Sequence, residues 1–288
     1  MLKKTKSRYL FMVPALLIYC VIVIGPALYS VSLSFFKWNG LGEKTFVGLK
    51  NYVNLFTKDV VFQTALINNL LWIVLTVVFT TSVSLALAMV LNRSFKGRVV
   101  YRAIFYFPYM LSWVVVGIIW KWIYNPGMGF LDEFLKAIGL GNLNITWLSD
   151  PKIALYCVFI AALWQGVGQP MLYFLAGLQS IPQELYEAAK VDGAGKFSLF
   201  IHITIPQLKE TFVIVFATLV ISAMKVYDVI YVMTEGGPAN STQTLASYMY
   251  SQTFSYSNLG TGSTVATIMM AVMMVIIIPY VLFTTKED

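Results

Sequence analysis

Charged residues are scarce in this chain, and histidine and cysteine are scarcer still. Only 11% of the 288 residues are Asp, Glu, Lys or Arg, whereas soluble domains carry about 25%. A single histidine, His202, argues against a histidine-based metal cluster, and we expect no metal site. Cys20 and Cys157 lie in apolar runs without the CxxC spacing of metal ligands, so we expect free thiols. The composition excludes an ordinary water-soluble protein.

The residues needed for catalysis or nucleotide hydrolysis are also missing. One histidine cannot complete a Ser/His/acid set, and the clustered carboxylates are limited to Asp132 and Glu133. The segment 193–198 has a glycine-rich, lysine-containing look, but it lacks the first glycine of a phosphate loop, and Phe197 stands where magnesium needs Ser or Thr. We expect no catalytic residue and no ATPase site in this chain. The net charge of the chain is +7, but nucleic-acid binding needs a basic face on a folded domain, and we find none in the sequence. We therefore expect no nucleic-acid partner.

Long apolar runs take the place of these groups, since 58% of the residues are hydrophobic. A membrane-spanning helix needs about 20 mostly apolar residues. The segments that qualify are approximately 9–35, 64–91, 101–123, 152–180, 211–233 and 262–284. The period-2 alternation of a β-barrel is absent, and unpaired backbone groups are not tolerated in lipid. We therefore predict an all-α integral membrane protein with six transmembrane helices, forming one domain over residues 1–288 in the lipid bilayer.

The distribution of basic residues predicts the orientation of these spans. Lys3, Lys4, Lys6 and Arg8 precede the first span. The short loop that follows the second span is basic and holds no acid over residues 92–102. By the positive-inside rule, both ends of the chain are expected in the cytoplasm.

The fourth predicted span is interrupted by Gly166, Gly168 and Pro170, with Gln165 and Gln169 between and beside them. Glycine and proline weaken a helix, and two amides at membrane depth need polar surroundings. Two interpretations stay open and are compatible: a packing kink against a neighbouring helix, or the wall of a cavity near the middle of the bilayer.

The fifth predicted span contains two ionisable residues, Lys225 and Asp228, whose spacing places them on one helical face. They are either a mutually neutralising pair that permits insertion or the polar lining of a solute pathway. Amides, charged groups and aromatic rings suit a hydroxylated solute such as a sugar. The candidate substrate-pathway residues are Trp164, Gln165, Gln169, Tyr173, Lys225, Tyr227 and Asp228.

A polar segment, residues 181–210, separates the fourth and fifth spans. Ser180 and Gln183 fit a capping box, with Pro182 in the first turn of a helix that Gly193 ends in a left-handed conformation. Glu184 and Glu187 fall early and Lys190 late, as the helix dipole favours. A second short helix, from Lys196 to Ile205, should end before Pro206. The segment predicts a helix–turn–helix elbow, which either docks a partner or lies on the lipid headgroups.

The same segment resembles the EAA loop of binding-protein-dependent ABC importer permeases. The matching residues are Glu187-Ala188-Ala189, then Gly193, then, after nine residues, Ile203-Thr204-Ile205-Pro206, with Ile205 in place of the usual Leu. The order Thr234-Glu235-Gly236-Gly237-Pro238, followed by Thr242, resembles a TxGGPxxxT feature of carbohydrate-importer permeases. Residues 46–52 also resemble sugar-importer permeases. The resemblance covers roughly residues 9 to 285.

The resemblance implies a type I ABC importer permease fold with a cytoplasmic coupling elbow, in a bacterial cytoplasmic membrane. The implied ATPase-coupling residues are Glu187, Ala188, Ala189, Gly193, Ile203 and Pro206. The implied partners are a paralogous permease, two cytoplasmic ATP-binding subunits that hold ATP and magnesium, and an external solute-binding protein that delivers a sugar. This chain would carry no cofactor and would work by alternating access. The alternative is an ion-gradient-driven secondary transporter or channel, which would not need the elbow and ordinarily shows an internal repeat.

Overall fold

The computed structural model describes residues 12–141, 143 and 145–285. Residues 9–11 of the first predicted span and the basic residues before them lie outside the described residues, as do residues 286–288. The chain forms two compact units: one holds the residues up to Gln63 together with Tyr248–Val272, and the other holds Thr64–Ser247 and the residues from Met273 onward. The prediction of a single domain over residues 1–288 stays a prediction.

The regular secondary structure of the described residues is helical apart from one small hairpin. The helices of the first half are α1 (Met12–Leu33), α2 (Lys50–Thr57), α3 (Val60–Leu91), α4 (Arg98–Met110), α5 (Trp113–Ile123) and α6 (Phe130–Ala137). Those of the second half are α7 (Ala154–Gly166), α8 (Gly168–Ser180), α9 (Gln183–Val191), α10 (Lys196–Gln207), α11 (Lys209–Met224), α12 (Asp228–Thr234), α13 (Leu245–Tyr250) and α14 (Leu259–Thr285). Strands β1 (Phe36–Lys37) and β2 (Thr45–Phe46) pair antiparallel, with Phe36 opposite Phe46.

The first unit is held together by hydrogen bonds at the end of α1. Ser34 is fully buried, and its hydroxyl lies 2.7 Å from that of Tyr52. Its carbonyl accepts from Asn51 at 2.8 Å and from Thr264 at 3.1 Å. The hydroxyl of Tyr248 donates to Asp59 over 2.5 Å. These contacts fix the hairpin, α2 and the start of α14 around one buried serine.

The second unit has an apolar core between α3, α8 and α11. Ala88, Met171, Phe174 and Val215 are fully buried there. Close approach of α8 to the bend before α11 depends on Gly177, because a Cβ at this position would come 2.8 Å from Leu208 Cδ2 and would also meet the hydroxyl of Thr211. Small residues let membrane helices pack backbone to backbone.

The prediction of membrane-spanning helices is confirmed, and three of them are continuous. Helices α1, α3 and α14 are each long and apolar enough to cross a bilayer, and counting each bent pair as one span gives up to six. Span 152–180 bends by 44° between α7 and α8, at the predicted interruption.

Two predicted spans are interrupted. Span 101–123 is bent, since α4 and α5 meet at 99° around Leu111 and Ser112. Span 211–233 is wrong as a continuous helix: α11 ends at Met224 and α12 begins at Asp228. Pro108 lies three residues before the Leu111–Ser112 corner, and its carbonyl accepts the N–H of Leu111, whereas no glycine or proline marks the second break in the sequence.

Candidate functional site

The elbow, residues 181–210, contains α9 and α10 joined by a tight turn. The N–H of Gly193 donates to the carbonyl of Lys190 at 3.0 Å, and the N–H of Ala194 donates to that of Ala189 at 2.9 Å. These two bonds form a Schellman motif, which needs a left-handed residue after the helix. Gly193 has φ +82°, so its predicted role as a helix terminator is confirmed. Glu184 lies in the first turn of α9 and Lys190 in the last, as predicted from the helix dipole.

The predicted capping box at the start of α9 is wrong. Pro182 directly precedes the helix instead of lying in its first turn, and the Ser180 hydroxyl donates to the carbonyl of Gly177 at 2.8 Å. The cause is Pro182 itself, which forces Ile181 into an extended conformation and so separates α8 from α9. Gln183 therefore becomes the first helical residue, and its amide donates to Glu187 at 2.8 Å.

The predicted end of the second arm is also wrong, because α10 continues through Pro206 to Gln207. The backbone widens into a π-helical turn over Phe200–Thr204 just before the proline. A regular helix would bring the Pro206 ring against the carbonyl of His202, and the wider turn relieves that clash. The hydroxyls of Tyr186 and Thr204 lie 3.0 Å apart and join the two arms of the elbow.

The outer surface of the elbow carries the predicted coupling residues and two apolar side chains that sequence reasoning missed. Glu187, Ala188, Gly193 and Pro206 are exposed, whereas Ala189 and Ile203 are half-buried. Val191 is 88% exposed and Phe197 is 79% exposed. The signal that could have revealed Val191 and Phe197 is a large apolar residue at the tip of a polar loop, since exposed apolar surfaces mark contact sites.

A cavity of about 240 Å³ lies where the broken helices meet in the second unit. Among the predicted pathway residues, Gln165, Gln169, Lys225, Tyr227 and Asp228 line it. Trp164 packs edge-on against Trp120 instead, and the Tyr173 hydroxyl accepts a 2.8 Å hydrogen bond from Gln169, one layer behind the wall. Lining residues missed by sequence reasoning are Thr76, Tyr109, Trp113, Thr218 and Ser222, which are too common in membrane helices to signal a site.

Lys225 and Asp228 do not share a helical face, contrary to the prediction. Lys225 follows the end of α11, and Asp228 is the first residue of α12. Both side chains are exposed at the cavity, and in the described part of the chain no ion pair joins them. The interpretation of a mutually neutralising pair is therefore not supported, and two opposite charges face the cavity separately.

Gln165 has both of the roles that its sequence left open. Its Nε2 donates to the carbonyls of Tyr109 at 3.4 Å and Leu111 at 3.3 Å, which the corner between α4 and α5 leaves without helical partners. The side chain is 4% exposed, and among the described residues its Oε1 has no hydrogen-bond partner. A buried acceptor without a donor is costly.

The Thr234–Thr242 loop beside α12 is closed by the two threonines of the TxGGPxxxT pattern. Their hydroxyls lie 2.7 Å apart, and that of Thr242 also lies 2.7 Å from the carbonyl of Gly237, to which it donates. Gly236 has φ +86°, and a Cβ there would collide with the side chain of Gln243. The loop's own geometry thus accounts for Thr234, Gly236 and Thr242 of the pattern.

Comparison with known proteins identifies the family. A profile described as the binding-protein-dependent transport system inner membrane component matches residues 80–285. A probable ABC transporter permease protein of Bacillus subtilis is 40% identical over 286 residues, covering 97% of each chain. A probable ABC transporter permease protein of Pyrococcus horikoshii is 39% identical over 280 residues, 97% of this chain and 96% of that one.

One further relative and one solved structure of similar fold complete the comparison. The trehalose/maltose transport system permease protein of Thermococcus litoralis is 33% identical over 259 residues, covering 90% of this chain and 85% of its own. The crystal structure of a bacterial ABC transporter involved in the import of the acidic polysaccharide alginate has a chain with a TM-score of 0.85 and 21% identity, covering 99% of this chain and 96% of that one. The chain therefore belongs to the binding-protein-dependent transport system inner membrane component family, the permease subunits of ABC importers.

Proposed function

We propose that this chain is the membrane-spanning subunit of an ATP-driven importer of an oligosaccharide. It forms half of the translocation pathway beside a paralogous permease, and two ATP-binding subunits and an external solute-binding protein complete the transporter. ATP and magnesium are bound by the ATP-binding subunits, and this chain contributes no cofactor and no ATPase site. It lies in the cytoplasmic membrane of a bacterium with both termini in the cytoplasm, as the basic loops indicate.

The exposed outer surface of the elbow is the observation that carries the coupling role. The Schellman motif and the Tyr186–Thr204 contact make the elbow a closed unit, while Glu187, Val191 and Phe197 project from it. A closed unit transmits displacement instead of absorbing it. ATP-driven closure of the ATP-binding subunits would move the elbow, and the elbow would move α8 and α11, the helices on either side of it.

The cavity supports a sugar as the solute. The carboxylate of Asp228, the ammonium of Lys225 and the side-chain amide of Gln169 line the cavity and offer complementary partners for hydroxyl groups. The rings of Tyr227 and Tyr231 stack with centroids 5.4 Å apart beside them, and aromatic faces suit the C–H faces of sugars. One positive and one negative side chain leave these two charges balanced, which favours an uncharged sugar over an acidic one. The trehalose/maltose permease among the relatives agrees with this class.

Reconstitution of the full complex tests the proposal. The chain is purified with its partner permease and ATP-binding subunits, placed in liposomes with ATP inside, and supplied with the binding protein and radiolabelled sugars outside. We expect uptake of one or a few neutral oligosaccharides that requires both ATP and the binding protein. Uphill uptake by this chain alone on a proton or sodium gradient would overturn the proposal in favour of a secondary transporter.

A further inference from the structure

Side chains from other helices bond the backbone at the helix interruptions beside the cavity. Backbone carbonyls are expensive at membrane depth unless protein atoms bond them. At the corner between α4 and α5, Gln165 supplies the donor for the carbonyls of Tyr109 and Leu111. At the bend between α7 and α8, the fully buried hydroxyl of Ser84 donates to the carbonyl of Val167 at 2.9 Å, in addition to the helical N–H of Met171 at 3.1 Å. A side chain from another helix is therefore fixed to the backbone at each of these breaks.

The interruption between α11 and α12 is closed in the same way by Asn69 of α3. Asn69 is fully buried. Its Nδ2 donates to the carbonyl of Ala223 at 3.3 Å, in the last turn of α11. Its Oδ1 accepts the N–H of Leu245, the first residue of α13, at 3.1 Å. One amide thus joins the C-terminal end of α11 to the N-terminal end of α13.

A second buried residue, Thr244, donates a hydrogen bond to the segment between α11 and α12. The hydroxyl of Thr244, which is fully buried, donates to the carbonyl of Val226 at 2.9 Å. Val226 lies between Lys225 and Asp228 and lines the cavity. The loop between the two charged side chains is consequently held from Asn69 on one side and Thr244 on the other, and neither of these residues lines the cavity.

We propose that Asn69 is a positioning residue, which holds the 225–228 corner so that Lys225 and Asp228 face the cavity. The amide acts through the backbone of Ala223 and Leu245 and touches no solute. The importance of the cavity for transport rests on the proposed function, but the position of the corner does not.

Asn68, the preceding residue, provides a matched control. It is buried, and its Nδ2 also makes two hydrogen bonds, both of 2.9 Å, to the carbonyls of Ser241 and Gln243. These carbonyls belong to the Thr234–Thr242 loop and the residue after it, and neither bond reaches α11 or residues 225–228. Asn68→Leu and Asn69→Leu therefore remove similar bonds from the same helix, and only Asn69→Leu removes a bond to the end of α11.

Thiol labelling at the corner tests the proposal in the purified complex. The background carries Cys20→Ser and Cys157→Ala, and Val226→Cys reports the exposure of the half-buried position 226. The probe is a water-soluble methanethiosulfonate reagent. We expect Asn69→Leu to raise the labelling rate about fivefold, the factor that one hydrogen bond carries. Asn68→Leu should leave it within about a factor of two, as an uncoupled site does.

Each outcome decides the proposal. An unchanged rate in Asn69→Leu, or an equal rise in Asn68→Leu, overturns it. If Asn69→Leu does not assemble, Thr244→Val decides in its place. It keeps the side-chain shape and removes the bond to Val226 together with the hydroxyl's contacts to Ser247 within α13. A rise supports control of the corner from behind the wall, and an unchanged rate overturns it. Sugar uptake is measured in the same variants without the reporter cysteine. A raised labelling rate with unchanged uptake retains the positioning role and contradicts the cavity as the pathway.

Discussion

The side-chain amide of Gln183 donates a 2.8 Å hydrogen bond to the carboxylate of Glu187, one turn later on the exposed face of α9. Pairs of this kind on a helix surface stabilise it by only about 0.2–0.5 kcal/mol. The bond therefore orients the carboxylate more than it stabilises the elbow, and it leaves one carboxylate oxygen for a partner protein.

Reversing the charge of Glu187 should uncouple the transporter. We expect Glu187→Lys to abolish ATP-dependent uptake because the oriented acceptor becomes a cation, while membrane insertion stays normal. Uptake in liposomes and co-purification with the ATP-binding subunit are the measurements. Glu187→Gln keeps the shape and one acceptor, so it should retain part of the activity. Full transport by Glu187→Lys would contradict the coupling role.

The effect of a substitution at Gly193 on uptake should depend on backbone conformation alone. A Cβ here meets no atom within 4 Å, so only the positive φ matters. We expect Gly193→Asn, which tolerates a left-handed conformation, to keep most of the uptake. Gly193→Val should lose it, because a left-handed conformation costs about 1–2 kcal/mol for residues with a Cβ and is rarer still for β-branched ones. Equal uptake by the two variants would show that the turn is not required.

Val191 should matter for docking and not for folding. An exposed position of this kind changes stability by about 0.5 kcal/mol or less when substituted. We expect Val191→Asp to leave the melting temperature unchanged and to weaken co-purification with the ATP-binding subunit. Val191→Thr keeps the shape and serves as the control. Normal ATPase stimulation in Val191→Asp would place the contact elsewhere on the elbow.

Substitutions at Gln165 and Tyr173 should distinguish the cavity wall from the layer behind it. Gln165→Leu removes the acceptor at the wall and the donor for Tyr109 and Leu111, so we expect uptake to fall at least about tenfold, the effect of roughly 1.4 kcal/mol. Tyr173→Phe removes a hydroxyl that does not line the cavity, and uptake should change much less. Assembly is measured by size-exclusion chromatography. Loss of the complex in Gln165→Leu, without a transport defect in the remainder, would indicate a packing role only.

The loop between α5 and α6 should loosen in acid. The N–H of Gly127 and the indole N–H of Trp147 donate to the Asp132 carboxylate and hold its pKa below the usual value. A lowered pKa in the folded chain stabilises the loop above the pKa of unfolded Asp, and this contribution is lost as pH falls through the folded-state pKa. Hydrogen-exchange protection of residues 126–136 should decline in acid. Asp132→Asn should show low protection at every pH, and an unchanged profile in the wild-type chain would exclude the carboxylate.

The elbow and the presence of membrane-spanning helices could be predicted from the sequence because their signals are local. Apolar length fixes where a chain can cross a bilayer, and Gly193 marks a left-handed turn. The breaks around Leu111 and at Lys225–Tyr227 were not predicted, because apolar runs on both sides of each break are long enough together to resemble one span. Their backbone partners, Gln165 and Asn69, lie more than 50 and 150 residues away in the chain. The capping-box prediction was wrong for a local reason. The pattern at Ser180 favours a cap, but Pro182 imposes an extended conformation on Ile181, and this separates Ser180 from the next helix.

The interruptions beside the cavity have a consequence for the passage of a solute. Three of the side chains that bond them, Asn69, Ser84 and Thr244, are fully buried and lie outside the cavity lining. A sugar in the cavity would therefore not compete with these donors for the backbone. The broken helices would keep their main-chain groups paired with protein while a solute passes, and the polar side chains of the lining would make the contacts with it.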